Sequence, residues 1–197
     1  MPSQRHSTRV EDEVLLDAVR ACVLALGVRR TTLTDVARRA GVSRMTLYRR
    51  FPDVRSLMAA LMTREFGGLL SQFEQGPTAR HQLVDGVVNT VRRLIANPLL
   101  STVLDLDPEL LLPYVVQRLG STQQLAEQVL LAQIRAGHED GSVRAGKPSV
   151  QARALLLAVQ SFVLSSRAAT ADVPEEDLLA ELAELVDGAL RPRGEES

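Results

Sequence analysis

The stretch AGVSRMTLYRRF, at residues 40–51, contains a helix end, a helix start and several side chains that can bind nucleic acid. Gly41 favours the left-handed backbone conformation with which many helices end, and the Ser43 hydroxyl can cap the helix that follows. Pro52 comes directly after the stretch and cannot continue a helical hydrogen-bond ladder. The pattern therefore predicts a short helix of about two turns between Ser43 and Pro52.

A second short helix is predicted just before this one. Apolar residues between 33 and 40 repeat at the i, i+3, i+4 and i+7 positions of one helical face. Thr32 and Asp35 have the spacing of a helix start, in which a hydroxyl caps the helix and an acidic side chain follows three residues later. Two short helices joined by a glycine-containing turn form a helix-turn-helix, here at residues 32–51, and its second helix can enter the DNA major groove.

The outward face of the second helix is suited to DNA. Arg44 and Arg50 can bind guanine edges or phosphates. Thr46 and Tyr48 add hydroxyl groups, and Met45 can contact a thymine methyl group. Short helix pairs with a glycine at the corner also occur in enzymes, so the motif alone leaves a purely structural role open.

Helical periodicity continues through the rest of the chain, without an alternating strand pattern of useful length. Outside the motif, the predicted helices lie at residues 10–26, 54–75, 78–96, 98–106, 121–136, 150–170 and 174–190. In the first of these, Glu11, Asp12 and Glu13 would lie near the positive end of the helix dipole. The sequence predicts an all-α protein of about nine helices, in which an N-terminal three-helix DNA-binding domain precedes a C-terminal helical bundle.

The charge distribution divides the chain in two. The net charge is −1, yet residues 1–55 contain 11 Arg against 6 Asp and Glu, a balance of +5. Residues 56–197 contain 12 Lys and Arg against 18 Asp and Glu, a balance of −6. This asymmetry predicts a basic contact module at 1–55 joined to an acidic body at 56–197. The family resemblance described below implies that 1–55 is a DNA-binding domain and that 56–197 is an effector-binding and dimerisation domain.

Composition and motifs argue against several other classes of protein. No apolar run approaches the roughly 20 residues that span a bilayer, and the polar N-terminus has no secretory signal, so we expect a cytoplasmic protein without membrane contact. The single cysteine, Cys22, excludes an intramolecular disulfide framework and is expected to pack as a small core residue.

Enzymatic chemistry finds no support in the sequence. The three histidines, His6, His81 and His138, are scattered, and no spacing of His, Cys and carboxylates resembles a metal site. A glycine-rich phosphate loop and a G-x-S-x-G nucleophile turn are also missing. We therefore expect no catalytic residues, no metal and no cofactor.

Residues 31–62, TTLTDVARRAGVSRMTLYRRFPDVRSLMAALM, resemble the N-terminal domain of the tetracycline-repressor (TetR/AcrR) family of bacterial transcriptional regulators. The resemblance covers residues 10–65 and includes the preceding helix, the motif itself and the amphipathic helix after it. The motif also resembles the headpiece of the lactose-repressor family. That family places it at the extreme N-terminus and follows it with an α/β domain, whereas here a full helix precedes the motif and only helical patterns follow.

The resemblance assigns roles to individual positions. It implies that Leu47 and Phe51 are core residues and that the Tyr48 hydroxyl binds a phosphate. The side chains that it places on or near DNA are Thr32, Thr34, Ser43, Arg44, Met45, Thr46, Tyr48, Arg49, Arg50 and Arg55. The sequence departs from the family at Val54, where members usually have a phosphate-binding Lys, and this leaves open whether Arg55 replaces that contact.

The family resemblance also implies a homodimer that binds a palindromic operator. Small side chains on the penultimate helix and apolar ones on the last helix are suited to an interface across a twofold axis. The predicted interface residues are Ala154, Ala158, Ser161, Ser165, Leu178, Leu182, Leu185 and Val186. The alternative is that these residues pack only within one subunit.

A small hydrophobic or amphipathic effector is expected to bind among the central helices, as the family resemblance implies. The candidate pocket residues are Phe66, Phe73, Leu111, Tyr114 and Phe162, with Tyr114 as a polar anchor. The predicted function is that of a ligand-responsive, sequence-specific repressor. The alternative is a helical ligand-binding or adaptor protein with a vestigial helix-turn-helix.

Overall fold

The computed structural model describes residues 3–70 and 76–194, with side chains from residue 12 onward. The helices of this part of the chain are α1 (Ser3–Leu26), α2 (Leu33–Ala40), α3 (Arg44–Arg50), α4 (Val54–Leu70), α5 (Ala79–Ile95), α6 (Pro98–Leu106), α7 (Ser121–Glu139), α8 (Pro148–Ala169) and α9 (Glu175–Leu190). A 3-10 turn (Pro108–Leu110) and a π-helical turn (Pro113–Gln117) separate α6 from α7. Neither described stretch contains a strand, and the all-α prediction is confirmed.

Helix α1 begins earlier than the sequence predicted. Its first residue is Ser3 rather than Val10, so the helix extends well before the acidic cluster. Asp12 and Glu13 consequently lie inside the helix, and the first turn contains no acidic residue. The prediction that these carboxylates stabilise the helix start is wrong, because the dipole effect is confined to the terminal turn.

The chain forms two compact units. The first comprises Met1–Glu65 and Asn97–Gly120, and the second comprises Phe66–Ala96 and Ser121–Ser197. The first unit thus extends beyond residue 55 and also includes α6 with the two irregular turns. The predicted division of roles between 1–55 and 56–197 stays a prediction.

The core of the first unit is built from α1, α2, α3, α4 and α6. Its fully covered side chains include Val19 of α1, Leu47 of α3, Leu57 of α4 and Leu99 of α6. The Cys22 thiol is also buried, as predicted, and burial raises its pKa. Because α6 contributes to this core, the helix-turn-helix does not pack alone.

In the second unit, α5 packs against α7, α8 and α9. The buried apolar side chains of this unit include Leu83, Val87, Val91, Leu130, Ile134, Ala152, Leu155, Leu156, Val163, Leu179, Leu182, Val186 and Leu190. Arg80 of α5 forms an ion pair with Asp187 of α9, and both side chains are mostly covered. Across the described residues, the helices are too short or too polar to cross a membrane.

Candidate nucleic-acid interface

The turn between α2 and α3 has the capping geometry that the sequence predicts. Thr32 Oγ1 accepts a hydrogen bond of 3.1 Å from the Asp35 backbone N–H and donates one of 2.6 Å to its carboxylate. Gly41 has a φ of 68°, and the Val42 N–H donates to the Ala37 carbonyl at 3.0 Å. These bonds end α2 sharply and direct the chain into α3.

Helix α3 is fixed at both ends and by one buried side chain. The Thr46 N–H donates to Ser43 Oγ at 3.1 Å, and the two hydroxyl oxygens are 2.9 Å apart. Leu47 is completely buried, and the Phe51 N–H donates to the Leu47 carbonyl at 2.8 Å. The other side of the helix is therefore presented to solvent.

The outward face of α3 combines positive charge, a hydroxyl and an apolar side chain. Met45 is 76% exposed and Tyr48 is 48% exposed. Arg44 and Arg49 of the same helix are also exposed. Such a face can donate to guanine edges and phosphates and can contact a thymine methyl group.

The remaining predicted DNA-binding residues surround this face or lie close to it in sequence. Thr32, Ser43 and Arg55 are exposed, whereas Thr34 and Thr46 are half-buried. The hydroxyls of Thr32, Ser43 and Thr46 already take part in helix capping. They would have to bind DNA in addition to these hydrogen bonds.

Arg50 differs from the other arginines of α3. Its Nη2 atom lies 2.8 Å from Oδ1 of Asp12 on α1, and its side chain is only 28% exposed. The family resemblance places this guanidinium on or near DNA. In the structure it has a carboxylate partner within the same unit, and its contact with DNA stays a prediction.

The start of α4 is capped by Asp53. Its carboxylate accepts a 2.6 Å hydrogen bond from the Ser56 N–H, and this bond is the main reason why the pKa of Asp53 lies below its ordinary value. Val54, at the position of the family's usual Lys, is half-buried, and Arg55 beside it is exposed. A positive charge is therefore present at the start of α4, at the neighbouring position.

Two interactions in the first unit were missed at the sequence level. The Asp107 carboxylate accepts a 2.7 Å hydrogen bond from the Val28 N–H in the turn between α1 and α2. Arg64 of α4 forms ion pairs with Glu13 at 3.2 Å and with Asp17 at 2.9 Å, both on α1. In both interactions the two partners are far apart in the chain, so no local sequence pattern predicts the contact.

Comparison with known proteins identifies the family. Residues 15–61 match the model of the bacterial regulatory proteins of the tetR family. An HTH-type transcriptional regulator of Mycobacterium bovis is 36% identical over 176 residues, which are 89% of this chain and 92% of that protein. The chain belongs to the TetR family. It is a DNA-binding transcriptional regulator, and the alternative of an adaptor with a vestigial motif finds no support in these similarities.

Solved structures share the fold of this TetR-family regulator. The TetR-family repressor AlkX from Dietzia, implicated in n-alkane biodegradation, has a TM-score of 0.64 at 22% identity and covers 90% of this chain and 93% of its own. The regulator FadR from Bacillus subtilis in complex with stearoyl-CoA has a TM-score of 0.65 at 16% identity, over 91% of this chain and 99% of its own. At these identities the likeness concerns the fold.

The predicted effector residues of the TetR-family regulator fall in both compact units. Leu111 and Tyr114 are half-buried in the first unit, where the Arg118 guanidinium lies 5.5 Å from the centre of the Tyr114 ring. Phe66 is buried in the second unit. Phe162, also in the second unit, lines a groove of about 220 Å³ between α8, α9 and the end of α5. Phe73 lies outside the described residues.

Some of the residues predicted for the dimer interface are exposed, and others are buried. The small residues of α8, namely Ala154, Ala158, Ser161 and Ser165, are all exposed along one side of the helix. On α9, Leu185 is 59% exposed and Leu178 is half-buried. Leu182 and Val186 are almost completely buried, so their side chains pack within their own chain.

The described residues of this TetR-family regulator contain no evident metal site. Among the described residues, no group of three or more His, Cys, Asp or Glu side chains is arranged to hold a metal ion. Asp53 instead caps α4, and Asp12, Glu13 and Asp17 form ion pairs with arginines.

Proposed function

We propose that this TetR-family regulator is a homodimeric, ligand-responsive repressor that binds a palindromic operator through α3. The observation that supports this most is the face of α3 on which Arg44, Met45 and Tyr48 are exposed to solvent, while Leu47 is buried on the other side of the helix. Two copies related by a twofold axis would place two such helices in successive major grooves, about 34 Å apart.

The proposed roles on DNA follow from the chemistry of each side chain. Arg44 and Met45 would read base edges, and the Tyr48 hydroxyl would donate to a phosphate. Arg49 and Arg55 would add positive charge against the backbone, with Arg55 standing in for the Lys that is absent at position 54. Thr32, Thr34, Ser43 and Thr46 would contribute hydrogen bonds to phosphates at the helix starts.

Selection of bound fragments from a random DNA pool, at two salt concentrations, tests this function directly. Enrichment of one palindrome, with an affinity that falls steeply as salt rises, is the expected result because phosphate contacts release counterions. Enrichment of a non-palindromic site would refute the dimeric mode of binding. Failure to enrich any fragment with the folded, effector-free protein would favour the adaptor function instead.

The proposed dimer interface is the exposed small-residue side of α8 together with Leu185 of α9. Small side chains let a second helix approach closely, and exposed leucines gain most from being covered. This proposal retains Leu178 at the edge of the interface. It assigns Leu182 and Val186 to the core of each subunit, because both are already buried there.

Analytical ultracentrifugation of two arginine variants tests the interface. Ala158→Arg places a long charged side chain in the middle of the α8 face and should convert the dimer into a monomer. Ala180→Arg is the matched control, since Ala180 is also exposed but lies about 140° around α9 from Leu185. The proposed interface is wrong if both variants sediment as wild-type dimers, or if the control dissociates as well.

A small hydrophobic or amphipathic effector is proposed to weaken operator binding. The fatty-acyl ligand of FadR and the n-alkane context of AlkX support this chemical class, as does the apolar lining of the groove at Phe162. An effector can release DNA only if it binds the DNA-incompetent state more tightly. Titration of stearoyl-CoA and of free fatty acids against the operator complex tests the class. Phe162→Ala tests the groove of the second unit, and Tyr114→Phe separately tests the candidate polar anchor in the first unit.

A further inference from the structure

An ion pair links the C-terminal end of α3 to α1. Arg50 is the last residue of α3, and its guanidinium lies 2.8 Å from the Asp12 carboxylate. The Arg50 side chain is 28% exposed and that of Asp12 is 38% exposed, so both charges are largely covered. Covered charges in contact interact more strongly than a pair in open solvent.

The orientation of α3 depends on contacts of this kind. The helix has only seven residues, which is too short to be stable without tertiary packing. Leu47 fixes its middle by complete burial, and Ser43 caps its start. At the C-terminal end, Arg50 lies about 60° around the helix from Leu47, toward the core side rather than toward the exposed face.

Helix α1 supplies acidic partners to two neighbouring helices. Asp12 pairs with Arg50 of α3, and Glu13 and Asp17 pair with Arg64 of α4. These carboxylates lie too far into α1 to interact with its dipole. They form ion pairs that link α1 to α3 and α4. In this arrangement Asp12 is the only one of the three whose described partner belongs to α3.

We propose that Arg50 is a positioning residue, whose ion pair with Asp12 holds the C-terminal end of α3 at the angle at which Arg44, Met45 and Tyr48 meet DNA. The inference rests on α3 being the DNA-reading helix, as proposed above, and it removes Arg50 from the base-reading set. If Arg50 instead bound DNA, Asp12 would compete with the DNA for its guanidinium. The two roles give opposite predictions for the removal of the Asp12 charge.

The first measurement is DNA affinity of Asp12→Asn, with the fragment that the wild-type protein enriches from a random pool as the probe. Positioning predicts that affinity falls about fivefold, the equivalent of about 1 kcal/mol, although loss of a negative charge by itself favours DNA binding. Affinity for an unrelated fragment of the same length should stay unchanged or rise. Equal or tighter binding of the enriched fragment would overturn the proposal.

Glu13→Gln is the matched control. It removes the same charge from the next residue of α1, but its partner Arg64 keeps Asp17 and Glu65. Its affinity for the enriched fragment should therefore equal or slightly exceed that of the wild type. A loss of affinity as large as that of Asp12→Asn would mean that DNA binding depends on the total negative charge of α1. That result contradicts a specific role for the ion pair between Asp12 and Arg50.

Two further readouts separate positioning from direct contact. In a double-mutant cycle without DNA, Asp12→Asn and Arg50→Gln should each lower the urea midpoint of unfolding. The midpoint of the double variant should be no lower than that of the more affected single variant. Arg50→Gln should also leave the salt dependence of binding unchanged, whereas loss of a phosphate contact reduces the slope by about one. Additive effects on the midpoint, or a reduced slope, would overturn the proposal.

Failure of the proposed function gives a different result from failure of this inference. If the wild-type protein enriches no fragment, α3 is not a sequence-reading helix, and a positioning role on DNA fails with it. If enrichment succeeds and Asp12→Asn behaves like Glu13→Gln, the function stands and the role of Arg50 is wrong. Asp12→Glu, which keeps the charge, should retain most of the affinity, and a loss equal to that of Asp12→Asn would contradict the electrostatic explanation.

Discussion

The carboxylate of Asp107 accepts a 2.7 Å hydrogen bond from the backbone N–H of Val28, 79 residues earlier in the chain. Asp107 is 3% exposed, and it also lies 3.4 Å from the Arg29 N–H. Gly27, in the same turn, has a φ of 80° and leaves no room for a Cβ atom next to this carboxylate. Asp107 thereby joins the end of α6 to the turn that leads into the helix-turn-helix.

We predict that Asp107→Ala lowers the free energy of unfolding by about 2 kcal/mol, because it leaves the buried Val28 N–H without an acceptor. Urea denaturation followed by circular dichroism measures this change. Glu109→Ala is the control, since Glu109 pairs with the exposed Arg29 guanidinium and should contribute less than about 1 kcal/mol. Equal effects of the two substitutions would contradict the special role of the buried carboxylate.

Two glycine substitutions should have effects of opposite sign. Gly41 and Gly68 both have open space where a Cβ atom would lie, but Gly41 has a φ of 68° and Gly68 lies within α4. Gly41→Ala should destabilise the protein by about 1–2 kcal/mol through backbone strain alone. Gly68→Ala should stabilise it by up to about 1 kcal/mol, because alanine favours the helix. Thermal and urea unfolding distinguish these results, and a neutral Gly41→Ala would refute the strain argument.

Tyr48→Phe and Arg44→Ala should change DNA binding in different ways. If the Tyr48 hydroxyl binds a phosphate, its removal weakens binding to all sequences alike. If Arg44 reads a base, Arg44→Ala costs about 1–3 kcal/mol on the operator and relaxes the preference at one base pair. Fluorescence anisotropy with the operator and with single-base variants measures both effects. A sequence-dependent loss with Tyr48→Phe would assign it to base reading instead.

The Asp140 carboxylate should make stability depend on pH. It accepts a 2.8 Å hydrogen bond from the Ala79 N–H at the start of α5, and mainly for this reason its pKa lies below the ordinary value. A pKa that is lower in the folded state stabilises the protein above the unfolded-state pKa of about 3.9, and the stabilisation is lost as pH falls through the folded-state pKa.

Asp140→Ala should therefore lower the free energy of unfolding by about 1 kcal/mol at pH 7, a typical cost of losing a helix cap. The difference from the wild type should shrink at low pH, where the wild-type carboxylate becomes protonated. Urea unfolding at a series of pH values measures it, with the exposed neighbour Glu139→Ala as the control. A difference that does not change with pH would show that the carboxylate charge is irrelevant to the cap.

The sequence by itself determined the helices and the position of the helix-turn-helix. Helix starts at Thr32 and Ser43 and the helix end at Gly41 depend on hydrogen bonds within a few residues, so a local pattern is enough to predict them. The boundaries of α6 were predicted as observed, because Pro98 begins that helix after the cap at Asn97. The family resemblance adds the positions along α3 that are expected to face DNA.

The tertiary structure decided which side chains are already buried or paired within the protein. Helical register turns Arg50 toward the core side of α3, but only the approach of α1 supplies Asp12 as its partner. Leu182 and Leu185 are both apolar residues of α9, yet the first is covered by its own chain and the second is exposed. Burial and long-range ion pairs depend on which elements meet in space, and the periodicity of one helix does not specify its neighbours.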